Sequence, residues 1–231
     1  MIKSWTILLL LGASLLAEEA PTDWPAESRV IFQGDSITDG ARGRTPDPNH
    51  ALGHGYVFLI AGDFGARAPE QRLNFLNRGV SGNTILDLAK RWPKDTLELK
   101  PDILSVLIGV NDAAKGVTPD VFEKTYDELL KSARAANPKL RLILCLPFTG
   151  TTGSALDKSP NRRERVAALA DIVRKLAAKN DATLVDFSKV FEDARRRAPS
   201  EFWIWDGVHP TAAGHRLMAQ EWARVVQSSK R

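Results

Sequence analysis

The chain contains five short apolar runs, and residues 103–108, Ile-Leu-Ser-Val-Leu-Ile, are apolar at nearly every position. A run of this kind is typical of a strand that is buried on both faces of a parallel sheet. This feature favours a chain built around a central sheet with helices on both sides. The five predicted strands are residues 29–33, 73–76, 103–108, 140–146 and 182–186.

The segments between these strands have the apolar spacing of helices. The predicted helices are residues 56–67, residues 84–99 with a break at Pro93, a helix opened by Thr118 and Pro119, one carrying Val166, Leu169, Val173 and Leu176, a short one after the fifth strand, and a last one from about Thr211. Residues 202–205 are predicted to be an apolar loop. Alternating strands and helices predict an α/β fold, a three-layer α/β/α sandwich with a mostly parallel, flavodoxin-like five-stranded sheet.

The composition is that of a soluble globular domain, since 43% of the 231 residues are hydrophobic and 26% are charged. This length fits one α/β domain better than two. The formal net charge is only +4, and acidic and basic residues are interleaved, so we predict no nucleic-acid partner. Cys145 is the only cysteine, is expected to be a buried small hydrophobe, and forms no intrachain disulfide. No cysteine or histidine cluster has zinc spacing.

The first 17 residues are typical of a secretory signal peptide, because Lys3 precedes an apolar run that ends at the small residue Ala17. The run is shorter than the roughly 20 residues that span a membrane. We therefore predict a secreted or periplasmic protein with no integral membrane span after cleavage; a retained anchor is the alternative. Residues 18–28 are predicted to be a tether, and residues 29–231 a single domain.

The first predicted strand ends in Gly34-Asp35-Ser36, followed by turn-forming residues. Ser36 lies where the turn should open into a helix, so its hydroxyl is placed beside free backbone N–H groups. A weak nucleophile gains from donors aimed at the negative charge that its reaction creates. On these residues alone, an ordinary helix N-cap is the alternative, since Ser, Asp and Thr all favour that role.

Asp206 and His209 lie three residues apart in Asp-Gly-Val-His-Pro, which is predicted to open the last helix with Pro210 near its first position. The carboxylate can hold one imidazole nitrogen while the other accepts a proton. Alone, this spacing is also common in helix capping. Together with Ser36 it supplies the three parts of an acyl-transfer triad, in the order Ser, Asp, His.

Two further polar turns follow the second and third predicted strands, at Ser81-Gly82-Asn83 and at residues 109–112, which include Asn111. Ligands of such sheets bind outside the carboxyl ends of the strands, so these turns should meet Ser36 at one rim. The four segments, in this order, resemble the four signature blocks of the SGNH, or GDSL, hydrolase superfamily. The resemblance covers about residues 29–222.

The resemblance implies the SGNH hydrolase fold and a serine esterase that needs no cofactor and no metal. It implies that Ser36 is the nucleophile, that His209 is the general base and then the acid, and that Asp206 orients His209. The oxyanion hole would be formed by the backbone N–H groups of Ser36 and Gly82 and by the side-chain amide of Asn111.

Residues 51–57, 78–84, 87–92 and 205–210 are also similar to bacterial acetylxylan esterases. This second resemblance implies a secreted acetylesterase whose substrate is an acetylated carbohydrate, such as acetylxylan or a related oligosaccharide. Trp205 is a candidate sugar-stacking residue, with core packing as the alternative, and core packing is favoured for Trp92 and Trp203. Residues 147–161 form a long loop, which is where family members are expected to diverge.

Several polar residues near the motifs receive smaller roles. Asp35 and Asp112 are expected to brace their turns by hydrogen bonds to the backbone, and Asp35 is also a candidate substrate-binding residue. His50 and His54 are predicted to be surface or structural loop residues, and His215 a surface residue of the last helix.

Other functions are compatible with parts of this pattern. Within hydrolases, the alternative is a lysophospholipase or thioesterase acting on lipid or longer acyl esters, which would need an apolar channel. A flavodoxin-like nucleotide-binding module is disfavoured because no Gly-x-Gly-x-x-Gly and no P-loop follows the first strand. The intact Ser36, Asp206 and His209 disfavour a carbohydrate-binding relative without catalysis. A homo-oligomer is compatible with the sequence, which leaves the oligomeric state open.

Overall fold

The computed structural model describes residues 22–45, 47–48, 50–159 and 161–229, and the predicted signal peptide lies outside this range. Five strands form one sheet in which all neighbouring pairs are parallel. They are β1 (Arg29–Gly34), β2 (Asn74–Asn77), β3 (Ile103–Leu107), β4 (Arg141–Cys145) and β5 (Thr183–Val185), in the order β2-β1-β3-β4-β5. This is the flavodoxin-like order. The predicted fold class and all five strands are therefore confirmed.

Helices cover both faces of the sheet. They are α1 (Ser36–Asp39), α2 (Tyr56–Arg67), α3 (Ile85–Trp92), α4 (Val110–Lys115), α5 (Pro119–Ala136), α6 (Ser154–Asp157), α7 (Arg162–Lys179), α8 (Phe187–Ala194), α9 (Ser200–Trp203) and α10 (Ala212–Ser228), with a short 3₁₀ turn at Pro69–Gln71. Helix α10 packs against α2 and α8, and α5 packs against α3 and α7. The resulting architecture is the predicted three-layer sandwich.

Three local predictions differ from the structure. Pro93 does not break the chain out of helical geometry but begins a π-helical turn, Pro93–Leu97, in which the Glu98 N–H donates to the Pro93 carbonyl over 2.9 Å. A proline needs no hydrogen bond at the start of a turn, so it is tolerated there. The long loop at residues 147–161 contains the short helix α6, and the predicted apolar loop at residues 202–205 overlaps α9.

The sheet register brings the polar turns to one rim. Gly34, the last residue of β1, pairs with Leu107, the last residue of β3, and Phe32 pairs with Asn77 at the end of β2. The turns that follow these strands therefore begin at nearly the same level. A Cβ atom on Gly34 would lie 2.4 Å from the Leu107 carbonyl oxygen, so glycine is needed where β1 passes into the Ser36 turn.

An aromatic cluster around Trp222 fills the core between the sheet and helices α2 and α10. Its ring lies 5.2 Å from Phe32, 5.9 Å from Phe64 and 6.1 Å from Trp24, measured between centroids. Trp24 is only 5% exposed and belongs to the interval that we predicted to be a tether. The described part of that interval, residues 22–28, therefore packs against the domain, because Trp24 adds a large apolar surface to the core.

We predict that Trp24→Ala lowers the free energy of unfolding by about 3–5 kcal/mol, the usual cost of removing a large aromatic side chain from a core. Urea unfolding measures this loss. The matched control is Trp205→Ala, since Trp205 is 60% exposed and its removal should change stability by less than about 1 kcal/mol. Equal losses in the two variants would contradict the packing of Trp24.

Candidate active site

Ser36 is the first residue of α1, and the N-cap of this short helix is its neighbour Asp35. The Asp35 side chain accepts a hydrogen bond from the Ile37 N–H over 3.0 Å. The capping role therefore falls to Asp35, and the alternative in which Ser36 is an ordinary N-cap is wrong. In the part of the chain that the structure describes, the Ser36 N–H has no hydrogen-bond acceptor. Both the hydroxyl and the backbone N–H of Ser36 thus stay available for chemistry.

Ser36, His209 and Asp206 form a continuous hydrogen-bond relay. The Ser36 Oγ lies 2.9 Å from His209 Nε2, and His209 Nδ1 lies 2.7 Å from Asp206 Oδ2. Residues 173 positions apart in the chain are therefore in direct contact. This is the geometry in which an imidazole can take the hydroxyl proton while a carboxylate holds its other nitrogen.

The Asp206 carboxylate is buried but well supplied with donors. Burial raises its pKa, but the hydrogen bonds from the backbone and side chain of His209 and from the Val208 N–H outweigh this effect, so the pKa lies below its usual value. The two backbone donors bind Asp206 Oδ1 at 2.7 Å for His209 and 2.9 Å for Val208. Asp206 is therefore ionised at neutral pH and leaves Oδ2 free to orient the imidazole.

The segment that carries Asp206 and His209 is a rigid turn before α10. Ile204 and Pro210 form an isolated antiparallel bridge, and the Trp205 N–H donates to the His209 carbonyl over 3.1 Å. Thr211 is the N-cap of α10, so Pro210 lies two residues before the first helical residue, Ala212, near the position that we predicted. The bridge closes the turn and fixes the separation of the two functional side chains.

The long loop at residues 147–161 supports this turn from outside. The Gly150 N–H donates to the Gly207 carbonyl over 2.8 Å, and the Ala155 N–H donates to the Asp206 carbonyl over 2.9 Å. A Cβ atom on Gly153 would lie 2.2 Å from the Asp206 carbonyl carbon. The loop therefore packs backbone against backbone and holds Asp206 in place.

The predicted oxyanion donors lie at the neighbouring turns. Gly82 adopts a positive φ of 80°, and a Cβ atom added there would meet no atom within 4 Å, so its backbone faces open space. The Asn111 side-chain amide donates to the Asn83 carbonyl over 3.1 Å, which leaves its second N–H available. The Lys115 ammonium donates to the Gly82 carbonyl over 2.7 Å. These contacts hold the second and third turns against each other.

Asp35 and Asp112 are buried braces, as predicted for their backbone contacts. Asp112 accepts a 2.8 Å hydrogen bond from the Ile85 N–H, at the start of α3. Burial raises the pKa of Asp35 to about 7 and that of Asp112 to about 6. Asp35 is 1% exposed, so its carboxyl group lies beneath the rim and is not presented to a ligand.

The tryptophans fall into two groups. Trp92 and Trp203 are buried in the core, as favoured from the sequence. Trp205 is 60% exposed, and its ring lies 6.4 Å from the His209 ring at an interplanar angle of 26°. Core packing is therefore wrong for Trp205, which forms one exposed wall beside the imidazole.

His215 is not the surface residue that we predicted. Its Nδ1 accepts the Tyr56 N–H over 3.2 Å and so caps α2 from another helix, and its ring stacks on the Tyr56 ring. Burial lowers the pKa of His215 to about 4, so it is neutral at neutral pH. The neighbouring Gly55 fits because its missing side chain leaves room for the imidazole. His50 and His54 are exposed, as predicted for loop residues.

Two arginines at the site were not identified from the sequence. Arg162, 9% exposed, donates to the carbonyls of Val110 and Ala155 over 3.2–3.3 Å, and so joins the turn before Asn111 to the loop that holds Asp206. Arg91 donates hydrogen bonds to the turn that contains Ser36, at Gly34, and to the turn that contains Gly82, at Arg78 and Asn83. Arg162 reaches the Val110 carbonyl and Arg91 reaches the Gly34 carbonyl, both more than 50 residues away in the chain, and no local sequence signal exists for such contacts.

Two other features, a metal site and a membrane-spanning helix, are not found among the described residues. Within residues 22–45, 47–48, 50–159 and 161–229, no group of three or more His, Cys, Asp or Glu side chains is arranged to hold a metal ion. Over the same residues, none of the helices is both long enough and apolar enough to cross a bilayer.

The fold and the relay define a class, a three-layer α/β/α protein with the serine, histidine and aspartate of a serine hydrolase at the rim of a parallel sheet. Residues 32–217 match the model of the GDSL-like lipase/acylhydrolase family. The chain belongs to this family, and it is a carboxylic ester hydrolase.

Individual relatives agree with this assignment. An acetylxylan esterase from Geobacillus stearothermophilus is 33% identical over 211 residues, which cover 86% of this chain and 93% of that protein. A crystal structure of a GDSL-like lipase from Parabacteroides merdae superposes with a TM-score of 0.82 at 33% identity and covers 87% of this chain and 96% of the other. The crystal structure of Axe2, an acetylxylan esterase from G. stearothermophilus, has a TM-score of 0.78 at 31% identity, with 87% and 95% of the two chains covered.

We predict that Asp35→Asn becomes increasingly stable relative to the wild type as the pH rises from 4 to 8. The pKa of Asp35 is raised from 3.8 to about 7, so its stabilising contribution is complete below pH 3.8 and is lost as the pH rises through 7. Asparagine caps a helix equally well but never ionises. Each pKa unit corresponds to about 1.4 kcal/mol, so the difference in unfolding free energy should change by several kcal/mol.

Urea unfolding of both proteins at pH 5 and pH 8 measures this difference. Groups such as Asp112 and His215 titrate in both proteins and cancel to a first approximation. A stability difference that is the same at the two pH values would contradict the burial of an ionisable Asp35.

Proposed function

We propose that this enzyme removes O-acetyl groups from carbohydrate by a two-step reaction through an acetyl-serine intermediate. The observation that carries the proposal is the relay from Ser36 Oγ to His209 Nε2 and from His209 Nδ1 to Asp206, at 2.9 and 2.7 Å. This arrangement matches the requirement for an activated hydroxyl nucleophile.

In the first step, Ser36 Oγ attacks the acetyl carbonyl carbon and His209 Nε2 takes the hydroxyl proton. The carbonyl oxygen becomes an oxyanion, which receives hydrogen bonds from the N–H groups of Ser36 and Gly82 and from the Asn111 amide. One such donor typically contributes about 3 kcal/mol to transition-state stabilisation. The C–O bond to the sugar then breaks, and His209 returns its proton to the departing sugar oxygen.

In the second step, water attacks the acetyl group on Ser36. His209 takes a proton from the water, and a second tetrahedral oxyanion forms at the same donors. Its collapse breaks the bond to Ser36 Oγ, which recovers its proton from His209, and acetic acid leaves and loses its remaining proton to solvent to give acetate. Asp206 stays ionised throughout and stabilises the charged imidazole in both steps.

Two observations support an acetyl group on a sugar as the substrate. The acetylxylan esterase from G. stearothermophilus is a relative over most of both chains. The exposed Trp205 ring offers an apolar face beside His209 for a sugar ring.

The second candidate is a lysophospholipase or thioesterase that acts on longer acyl chains. The observation that favours it is the structural similarity to a GDSL-like lipase from Parabacteroides merdae. A long acyl chain needs an apolar channel that opens at the nucleophile, and substrate chain length therefore separates the two candidates.

We further propose that the protein acts in the periplasm or outside the cell. The support is the basic start, the short apolar run and the small residue at Ala17, all of which are typical of a signal peptide.

We predict that the wild type releases acetate from acetylated xylo-oligosaccharides and that Ser36→Ala lowers the rate at least 10³-fold, because the triad loses its nucleophile. Acetate assayed by a coupled enzyme measures both rates. The wild type should also cleave p-nitrophenyl acetate faster than p-nitrophenyl octanoate.

Equal acetate release by the two proteins would contradict Ser36 as the nucleophile. If the wild type cleaves the octanoate ester as fast as the acetate and ignores the oligosaccharide, the lipid or thioester alternative replaces the carbohydrate proposal.

A further inference from the structure

The distance between the nucleophile turn and the second turn must be held closely, because the proposed oxyanion hole takes one N–H from each. The nucleophile turn is residues 34–36, and the second turn is residues 78–83. Their backbones share a direct hydrogen bond, from the Val80 N–H to the Gly34 carbonyl at 3.1 Å. A displacement of about 1 Å is sufficient to cost 10²-fold in rate when reacting groups depend on position.

The Arg91 guanidinium connects the same two turns through its planar fork of donors. Its Nη2 donates to the Gly34 carbonyl over 3.0 Å, and its Nη1 donates to the Arg78 carbonyl over 2.7 Å. Its Nε donates to the Asn83 side-chain oxygen over 2.7 Å. One rigid group therefore contacts the residue two before Ser36, the start of the second turn, and the residue after Gly82.

Two further side chains, Gln33 and Asp95, fix the position of the guanidinium. Arg91 Nη1 also contacts Gln33 Oε1 at 2.7 Å and Asp95 Oδ2 at 3.2 Å, and Asp95 pairs with Arg78. Gln33 is fully buried, and its amide donates to the Asp95 carbonyl and to Thr96 Oγ1. Asp95 and Thr96 belong to the π-helical turn, so this unusual turn supplies one partner of Arg91 directly, through Asp95, and another through Gln33.

A second set of contacts holds the tip of the second turn. Asp39 Oδ2 accepts from both the Ser81 N–H at 3.0 Å and the Ser81 Oγ at 2.8 Å, and its carboxylate pairs with Arg44. Within residues 81–83, the hydrogen bond to Arg91 is made by the Asn83 side chain. Asp39 thus anchors Ser81, whereas Arg91 sets the position of the segment relative to β1.

We propose that Arg91 is a positioning residue that sets the separation of the Ser36 and Gly82 N–H groups and so determines how well the oxyanion is bound. The inference rests on the proposed esterase function and deepens it. Arg91 does not touch the reacting atoms; it acts through Gly34 and Asn83. Lysine carries the same charge, but its three N–H donors lie on one nitrogen, so it cannot reproduce the spacing of the three guanidinium nitrogens that bind Gly34, Arg78 and Asn83.

The test compares Arg91→Lys with Lys90→Met, a control on the next residue, whose side chain is 76% exposed. With p-nitrophenyl acetate, we expect Arg91→Lys to lower kcat at least 10-fold with KM within threefold, and Lys90→Met to stay within twofold of the wild type. Rates are divided by the folded fraction measured by tryptophan fluorescence.

A double-mutant comparison separates positioning from general stability. If Arg91 acts through the oxyanion hole, Arg91→Lys should cost at least threefold less in the Asn111→Ala background than in the wild type, because that variant has already lost part of the hole. Losses that simply multiply, or an Arg91→Lys variant with wild-type kcat, would overturn the inference. If Arg91→Lys does not fold, Asn83→Ala removes one acceptor only and is judged by the same criteria.

Failure of the proposed function gives a different result. A wild type that does not cleave p-nitrophenyl acetate, or a Ser36→Ala variant that cleaves it equally well, overturns the esterase proposal and this inference with it. An active wild type whose kcat is unaffected by Arg91→Lys overturns the inference alone.

Discussion

Parallel pairing of β1 with β3 is the constraint on which the site depends. Because Gly34 and Leu107 end their strands side by side, the turns that follow emerge at one rim. The Ser36 turn and the Asn111 turn then need only short helices to present their side chains. The central strands are buried on both faces, so a shift of one residue would turn each packed side chain to the opposite face of the sheet and disrupt its packing against the helices.

At the rim, buried carboxylates lie beneath the side chains that a substrate would contact. Asp35, Asp112 and Asp206 are all nearly inaccessible, yet each accepts hydrogen bonds from backbone N–H groups. Their environments differ: burial dominates at Asp35 and Asp112, whereas donors dominate at Asp206. Asp206, which has the lowered pKa and contacts His209 Nδ1, is therefore suited to carry a charge beside the imidazole, and all three carboxylates belong to sequence motifs around the site.

Much of this organisation could be predicted from the sequence. The five strands follow from apolar runs, Ser36 from the polar turn at the end of the first strand, and Asp206 and His209 from the polar segment before the last helix. The structure brings these three side chains into hydrogen-bond contact, and the family assignment agrees with the motifs. The helix at residues 56–67 was predicted within its observed bounds, because helical apolar spacing is a property of the local sequence.

The errors have a common physical origin, contact between residues remote in the chain. Trp24 lies in a polar, proline-containing segment, but Phe64 and Trp222 give its ring a place in the core. The sequence predicts His215 to be a surface residue of α10, but in the fold its Nδ1 accepts a hydrogen bond from the Tyr56 N–H of α2. The role of Arg91 likewise depends on its hydrogen bonds to Gly34 and Gln33 on β1, and Gln33 also binds the π-helical turn after Pro93.

The central claim, that Ser36 is an activated nucleophile, is tested most directly by mass spectrometry after treatment with a fluorophosphonate. We predict one adduct, on the peptide that contains Ser36 and absent from Ser36→Ala; an adduct on another residue, or equal labelling of the variant, would contradict the account.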